Sequence, residues 1–204
     1  HARGQSFGDW VAMRSGEFGT FPDGVAHPTS SSEVRELIDL CAREDVEAIP
    51  YGGGTSVVGH LTPNAGSRPV LSIDLRSMNK LIALDRTSNL ATFGAGAVGP
   101  DLEDQLRENG YTLGHFPQSF ELSTVGGWVA ARSSGQQSLR YGRIEQLFAG
   151  GRLEAPAGTL EIPTFPASAA GPDLREMVLG SEGRMGILTE VKLRVTPIAE
   201  QENF

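Results

Sequence analysis

Cysteine is almost absent. Among 204 residues there is one, Cys41, so no internal disulfide can form and nothing in the composition asks for an oxidising compartment. Positive charge is scarce too. The 17 Lys and Arg stand against 25 Asp and Glu, a net charge of −8, and they are scattered along the chain. No basic patch is left to follow the phosphates of a nucleic acid or an anionic membrane, so nucleic acid is excluded as a partner. Any anionic ligand must then be held by local N–H groups. No apolar run nears the roughly 18 residues of a membrane span, and His1-Ala2-Arg3-Gly4 carries no signal-peptide core. A cytoplasmic location is the expectation, no metal site is expected, and the missing initiator methionine reads as a trimmed or incomplete chain.

Glycine, by contrast, is abundant, with 26 residues. Three dense segments stand far apart: Pro50-Tyr51-Gly52-Gly53-Gly54-Thr55-Ser56, Ser123-Thr124-Val125-Gly126-Gly127-Trp128 and Gly180-Ser181-Glu182-Gly183-Arg184-Met185-Gly186. Each joins close backbone approach to hydroxyls or free N–H groups that can bind phosphate or carbonyl oxygens. Together they suggest one extended cofactor gripped at several points.

Hydrophobic residues make up 39% of the chain, enough for one large domain or two small subdomains. Residues 1–25 show no clear period and read as an irregular arm. Ser30, followed three residues later by Glu33, predicts a helix start, and the stripe Val34, Leu37, Ile38, Cys41 carries it to about Glu44, with the thiol buried and inert. Val46 to Pro50 predicts a strand that feeds the first glycine segment. Val70 to Leu75 predicts another, and Leu81–Asp85 with Leu90–Phe93 a hairpin. Pro100 to Asn109, with acids in its first turn and Gly110 as a stop, predicts a short helix. Ile187 to Val195 alternates as a half-buried antiparallel strand does. Pro156 to Pro172 reads as a loop excursion.

Two familiar glycine patterns are set aside. Gly94-Ala95-Gly96-Ala97-Val98-Gly99 matches a dinucleotide fingerprint, but no acid-tipped strand follows about 20 residues on, so a tight strand-to-helix turn is the better reading. Gly54 to Gly59 is followed by His60 and Leu61 where a nucleoside triphosphate loop needs Lys and Ser or Thr. The Gly52–Ser56 array still suits a pyrophosphate without a lysine.

The glycine segments in their order and spacing, with Pro117-Gln118-Ser119-Phe120-Glu121-Leu122 before the second, Arg140-Tyr141-Gly142 after it and Ile187-Leu188-Thr189-Glu190 after the third, resemble the FAD-binding domain of the vanillyl-alcohol oxidase type. The resemblance covers about residues 25–198. Within that family, Gly126-Gly127-Trp128 followed by Arg132-Ser133-Ser134-Gly135 is most similar to the branch of the alkyldihydroxyacetonephosphate synthases and bacterial FAD-linked oxidases. The D-lactate and glycolate dehydrogenase branch usually has another residue at Trp128.

The resemblance implies an α+β fold in two subdomains: a small parallel sheet with helices (about 26–76) and a larger antiparallel sheet with helices (about 77–198). FAD lies between them, and 199–204 begins the linker to a cap domain beyond Phe204. The implied cofactor contacts are Pro50, Tyr51, Gly52, Gly53, Gly54, Thr55 and Ser56 for the pyrophosphate. Pro117, Gln118, Ser119, Ser123, Thr124, Gly126, Gly127, Trp128, Ala130, Ala131, Arg132 and Ser133 follow along the adenine-to-flavin path. Glu182, Gly183, Gly186, Ile187 and Leu188 complete the set at the ribityl or adenosine part. No His stands in Gly52–Thr55 for covalent attachment, so the FAD is expected to dissociate. His115 and Arg132 are weak catalytic candidates, Arg140 a weaker cation. The family's catalytic Tyr and His groups belong to the cap, so the chain alone is expected to turn over little.

The implied activity is exchange of an acyl chain for a long-chain alcohol on a glycerone phosphate through a flavin adduct, with a lipid-like substrate bound through the cap and a homodimer as a further possibility. A flavin dehydrogenase or oxidase of a 2-hydroxy acid or alcohol, and a non-catalytic binding module, stay open. Gly53→Val is expected to crowd the pyrophosphate while sparing the fold.

Overall fold

The computed structural model describes residues 1–199, so residues 200–204 of the expected linker lie outside the described residues. In chain order the elements are α1 (Phe7–Arg14), β1 (Gly24–Ala26), α2 (Ser31–Arg43), β2 (Glu47–Tyr51), β3 (Val70–Asp74), β4 (Leu81–Asp85), β5 (Leu90–Gly94), α3 (Gly99–Arg107), β6 (Tyr111–Thr112), α4 (Val125–Ala130), α5 (Ser138–Tyr141), α6 (Ile144–Leu147), β7 (Phe148–Ala155), β8 (Gly158–Ile162), α7 (Leu174–Val178), β9 (Ile187–Arg194) and β10 (Thr196–Pro197). The fold is α+β with two principal sheets. A parallel sheet runs in the order β1-β3-β2, and an antiparallel one in the order β4-β5-β9-β7-β8.

The helix and strands expected at the first layer form where the pattern places them. Ser30 caps α2 by accepting from the Glu33 N–H at 3.3 Å. Glu33 in turn accepts from the Thr29 N–H, one residue further out than a standard capping box. Val34, Ile38 and Cys41 are buried, and burial pushes the Cys41 thiol up, as an inert core thiol requires. This face meets Ile73, Leu75 and Met78, and Ile187 from β9 joins the same cluster. One small core thus ties the parallel sheet to the antiparallel one.

The larger core lies under the antiparallel sheet. Phe93, Leu102, Leu106, Trp128, Val129, Phe148 and Leu193 are all buried there, each side chain contributing about 1.5–3 kcal/mol by leaving water. The hairpin β4–β5 forms as expected, turning through Asn89 in the left-handed region at φ 52°. Glycines 94, 96 and 99 do make a strand-to-helix turn. A Cβ on Gly94 would stand 2.3 Å from the Met78 carbonyl oxygen and one on Gly96 1.7 Å from that of Leu75, so this motif is spent on the chain's own backbone.

Three segments differ from expectation. Residues 1–25 are not irregular: Ser6 and Asp9 form a reciprocal capping box that starts α1, and Gly24–Ala26 joins the parallel sheet beside β3. The segment is also docked, since the Gln5 N–H donates to the Ser56 carbonyl at 2.6 Å. Inside the expected loop 156–172, Gly158–Ile162 is an edge strand paired with β7. Strand β7 itself carries no alternating signal. Gly150 and Gly151 interrupt it, and Glu154 is buried in it, accepting from Arg152 and Thr159 at 2.7 Å each.

Candidate functional site

Strand β2 is short, and it ends by delivering Pro50 and Tyr51 straight into the first glycine loop. That loop lies so close to the second glycine segment and the residue before it that there is no room for a side chain at Gly52 or Gly53. A Cβ on Gly53 would stand 1.8 Å from the Leu122 carbonyl oxygen, and one on Gly52 2.4 Å from Thr124 Oγ1. The Gly53→Val expectation is therefore corrected: a side chain there strikes the neighbouring loop before it reaches any ligand.

The third segment closes the other side, with Gly183 at φ 81° packed on Pro50. Between the three segments is a cleft of about 310 Å³, at the lower end of the range for small-molecule sites. Its wall includes residues 50–56, Pro117, Ser119, Ser123, Thr124, Gly126, Gly127, Trp128, Ala130, Ala131, Ser133, Glu182, Gly183, Gly186, Ile187 and Leu188. Sequences more than a hundred residues apart thus meet in one place.

Gln118 and Arg132 do not line it. Gln118 is exposed, and Arg132, in the left-handed region at φ 51°, pairs with Glu176. Arg140 stands over the Tyr141 ring at 5.1 Å, also off the wall. The wall further contains Val57, Val58, His60, Leu61, Leu75, Leu153 and Ser181, which the motifs did not assign. Val57 and Val58 were readable as an apolar pair left exposed in a loop. Leu153 was not, because it belongs to the unforeseen β7.

The N–H groups of Gly53, Gly54 and Thr55 find no acceptor among the described residues. Unpaired backbone donors around a concave loop are what an anion needs. Helix α4 begins beside them, its cap formed by Thr124 Oγ1 accepting from the Gly127 N–H at 3.3 Å. Gly127 is exposed toward the cleft, and small Ala130 and Ala131 keep the wall low. Tyr51 is held from behind by the Arg76 guanidinium, 5.6 Å from its ring centre, while Arg76 is anchored bidentately on the fully buried Asp74. Burial pushes the Tyr51 hydroxyl up, so it stays a neutral donor.

Trp128 forms the back of the cleft, 2% exposed. Its indole N–H donates to Ser123 Oγ at 2.7 Å, and that hydroxyl donates on to the Ser119 carbonyl at 2.8 Å. Ser123 is thus a bracket for Trp128 as well as a wall residue. The indole stacks on Phe120 at 6.3 Å and meets the His115 ring edge-on at 5.1 Å.

His115 lies behind this wall, 1% exposed. Its approach is pinned by buried Glu103, which accepts from the Thr112 hydroxyl and the Leu113 and Gly114 N–H groups. Its Nε2 is 2.8 Å from Ser133 Oγ, and Ser133 does line the cleft. Burial lowers the imidazole to about 4, against a smaller opposing pull from Glu145. His115 is therefore neutral near pH 7 and reaches the cleft through Ser133 rather than directly. Because the unfolded chain takes up this proton near pH 6.5 and the folded one only near pH 4, stability is full above that window and falls as pH drops through it, by about 3 kcal/mol in all. Urea midpoints at pH 7 and pH 4.5 check this, and His115→Gln should remove that share of the decline.

The FAD binding domain family matches residues 22–162, more than half of the chain. The chain belongs to that family. FAD is accordingly the cofactor of this domain, and the free N–H groups, the small-residue wall and the open side of the cleft fit a long dinucleotide. Alkyldihydroxyacetonephosphate synthase of Dictyostelium discoideum is 42% identical over 204 residues, matching the whole of this FAD binding domain chain and 33% of the relative. The synthase of Trypanosoma brucei brucei is 36% identical over 206 residues, again the whole chain and 33% of the relative. A solved alkyldihydroxyacetonephosphate synthase superposes with a TM-score of 0.92 at 40% identity, covering 98% of this chain and 36% of that one. The chain thus spans about a third of the length of these relatives. Over that third the parallel and antiparallel sheets of the two structures correspond.

Proposed function

We propose that this chain is the FAD-binding part of an enzyme of the alkyldihydroxyacetonephosphate synthase type, which exchanges an acyl chain for a long-chain alcohol on a glycerone phosphate. The observation that carries the reading is the cleft itself, where three glycine segments converge and the N–H groups of Gly53, Gly54 and Thr55 on its wall lack an acceptor among the described residues. Identity of 36–42% to synthases along the whole chain selects this branch of the family. The Gly53–Thr55 loop takes the diphosphate: each charge-assisted N–H bond contributes about 1.5–3 kcal/mol, which lets an acidic protein retain an anionic cofactor.

When bound, FAD supplies the electron-accepting ring, and the protein supplies its position. Trp128, fixed by Ser123, sets the depth of the cleft. Ala130 and Ala131 leave space for a flat ring, and His115 holds the Ser133 hydroxyl in place. The lipid-like substrate is contacted by parts of the enzyme beyond this domain, and the FAD is dissociable because the first loop carries no histidine within Gly52–Thr55.

Absorption spectra of the full-length protein test the reading. Flavin bands that appear with the protein and leave with the supernatant after denaturation are expected, together with alkyl exchange that consumes no oxygen. Bleaching of the flavin by a 2-hydroxy acid would instead favour a dehydrogenase, and a folded protein without flavin bands in excess FAD would leave only a binding module.

A further inference from the structure

The cleft contains an electrostatic gap. Among the described residues no Lys or Arg lines it, although the proposed ligand carries two negative charges. Its wall adds a third, the Glu182 carboxylate. Glu182 is a non-glycine residue in the left-handed region, at φ 53°, next to Gly183 packed on Pro50, so its backbone is fixed beside the glycine loop. A carboxylate beside a diphosphate costs binding energy unless a cation stands between them.

His60 stands between Glu182 and the end of that loop. Its Nδ1 is 3.5 Å from Glu182 Oε2 and 3.4 Å from Ser56 Oγ, the last residue of the loop. Both side chains are about 30% exposed, His60 at 29% and Glu182 at 30%. The ring therefore bridges the first and third glycine segments, and Nε2 makes no hydrogen bond among the described residues. The other titratable group on the wall is Tyr51, with Arg76 and His1 behind it, both on the carboxylate of Asp74, which His27 also faces. His115 lies behind Trp128. Of the groups on the wall, only His60 can supply positive charge near neutral pH.

We infer that His60 is the charge-compensating residue of the cofactor site, and that FAD binding takes up a proton there. A neutral imidazole has one N–H, which cannot serve Glu182 and a phosphate oxygen together; the imidazolium has two. Holding both partners favours the charged ring, so bound FAD raises its affinity for a proton, and protonation tightens FAD in return. This inference rests on the assignment of the diphosphate to the Gly53–Thr55 loop.

The test uses full-length protein stripped of flavin. FAD affinity is followed by fluorescence quenching from pH 5.5 to 8.5, and proton uptake by calorimetry in two buffers of different ionisation heat. From pH 6 to pH 8 the wild-type Kd should rise about five- to tenfold, with a fraction of a proton taken up at pH 7. His60→Gln should bind more weakly at pH 6, lose the slope and take up no proton; His60→Lys should restore tight binding without the slope. An unchanged slope and uptake in His60→Gln would overturn the inference while leaving the FAD assignment intact. Failure of wild type to bind FAD at any pH would overturn both.

Discussion

Gly53→Val should lose FAD and stability together. The new Cβ would lie 1.8 Å from the Leu122 carbonyl oxygen and 2.9 Å from Ser123 Cα, both backbone atoms with no rotamer to change. The loops must part, and overpacking of this kind costs about 1–3 kcal/mol. The same displacement breaks the ring of N–H donors at Gly53, Gly54 and Thr55. Losing two charge-assisted bonds weakens FAD by at least about a hundredfold. Gly127→Leu separates the two effects. Gly127 is exposed, and a Cβ there meets only Thr124 Oγ1, at 3.2 Å. That variant should keep its melting temperature within a few degrees yet bind FAD poorly, because the side chain enters the cleft. Thermal denaturation and FAD titration of both variants check the pair; FAD affinity untouched in Gly127→Leu would refute the placement of the ligand.

Trp128→Asn should be the most destabilising change at the cleft wall. The indole is 2% exposed, stacked on Phe120, edge-on to His115 and bonded to Ser123 Oγ. Removing so large a buried ring costs about 3–5 kcal/mol, and the buried amide that replaces it adds a desolvation penalty. For a chain of this size the melting temperature should fall on the order of 10 °C. Trp128→Phe, which keeps the stack but not the N–H, should lose a smaller part. If Trp128→Asn left stability intact but moved the flavin bands of the full-length protein, the indole would be a cofactor contact rather than the packed back wall the geometry shows.

Elements with a clear period were legible. The α2 stripe, the β4–β5 hairpin, α3 and β9 needed only local pattern, because the period or the flanking turn and cap residues of each are written in its own segment. Strand β7 was not foreseen: Gly150 and Gly151 in its course and buried Glu154 near its end break any alternation, and they work as strand residues because β9 and β8 pair on both sides. At Gly151 a Cβ would meet the Glu190 carbonyl oxygen at 2.2 Å, a requirement set wholly by the partner strand. The helix α1 was hidden for a similar reason: its capping box is in the sequence, but a two-turn helix with Phe7 85% and Trp10 50% exposed shows no buried stripe.

The site was legible as chemistry and not as contact. Three glycine segments pointed to an extended anionic cofactor, and most of the residues they named do share one cleft. What the segments do to each other was invisible. Gly52 and Gly53 are required by Thr124, Leu122 and Ser123 of their own chain, and Arg132, though inside the motif, turns to Glu176. His60 appeared as a departure from pattern, and its significance depends on Glu182, 122 positions later, standing 3.5 Å away.

By itself the sequence determined the class of ligand, because backbone donors and small side chains are local properties, and the elements with a clear period, because periodicity is local too. The tertiary structure alone decided which glycines make room for a ligand and which for the chain, which strands the large sheet contains, and which charges face the cleft. Each of those depends on atoms brought within a few ångströms from distant positions, and local pattern carries no record of them.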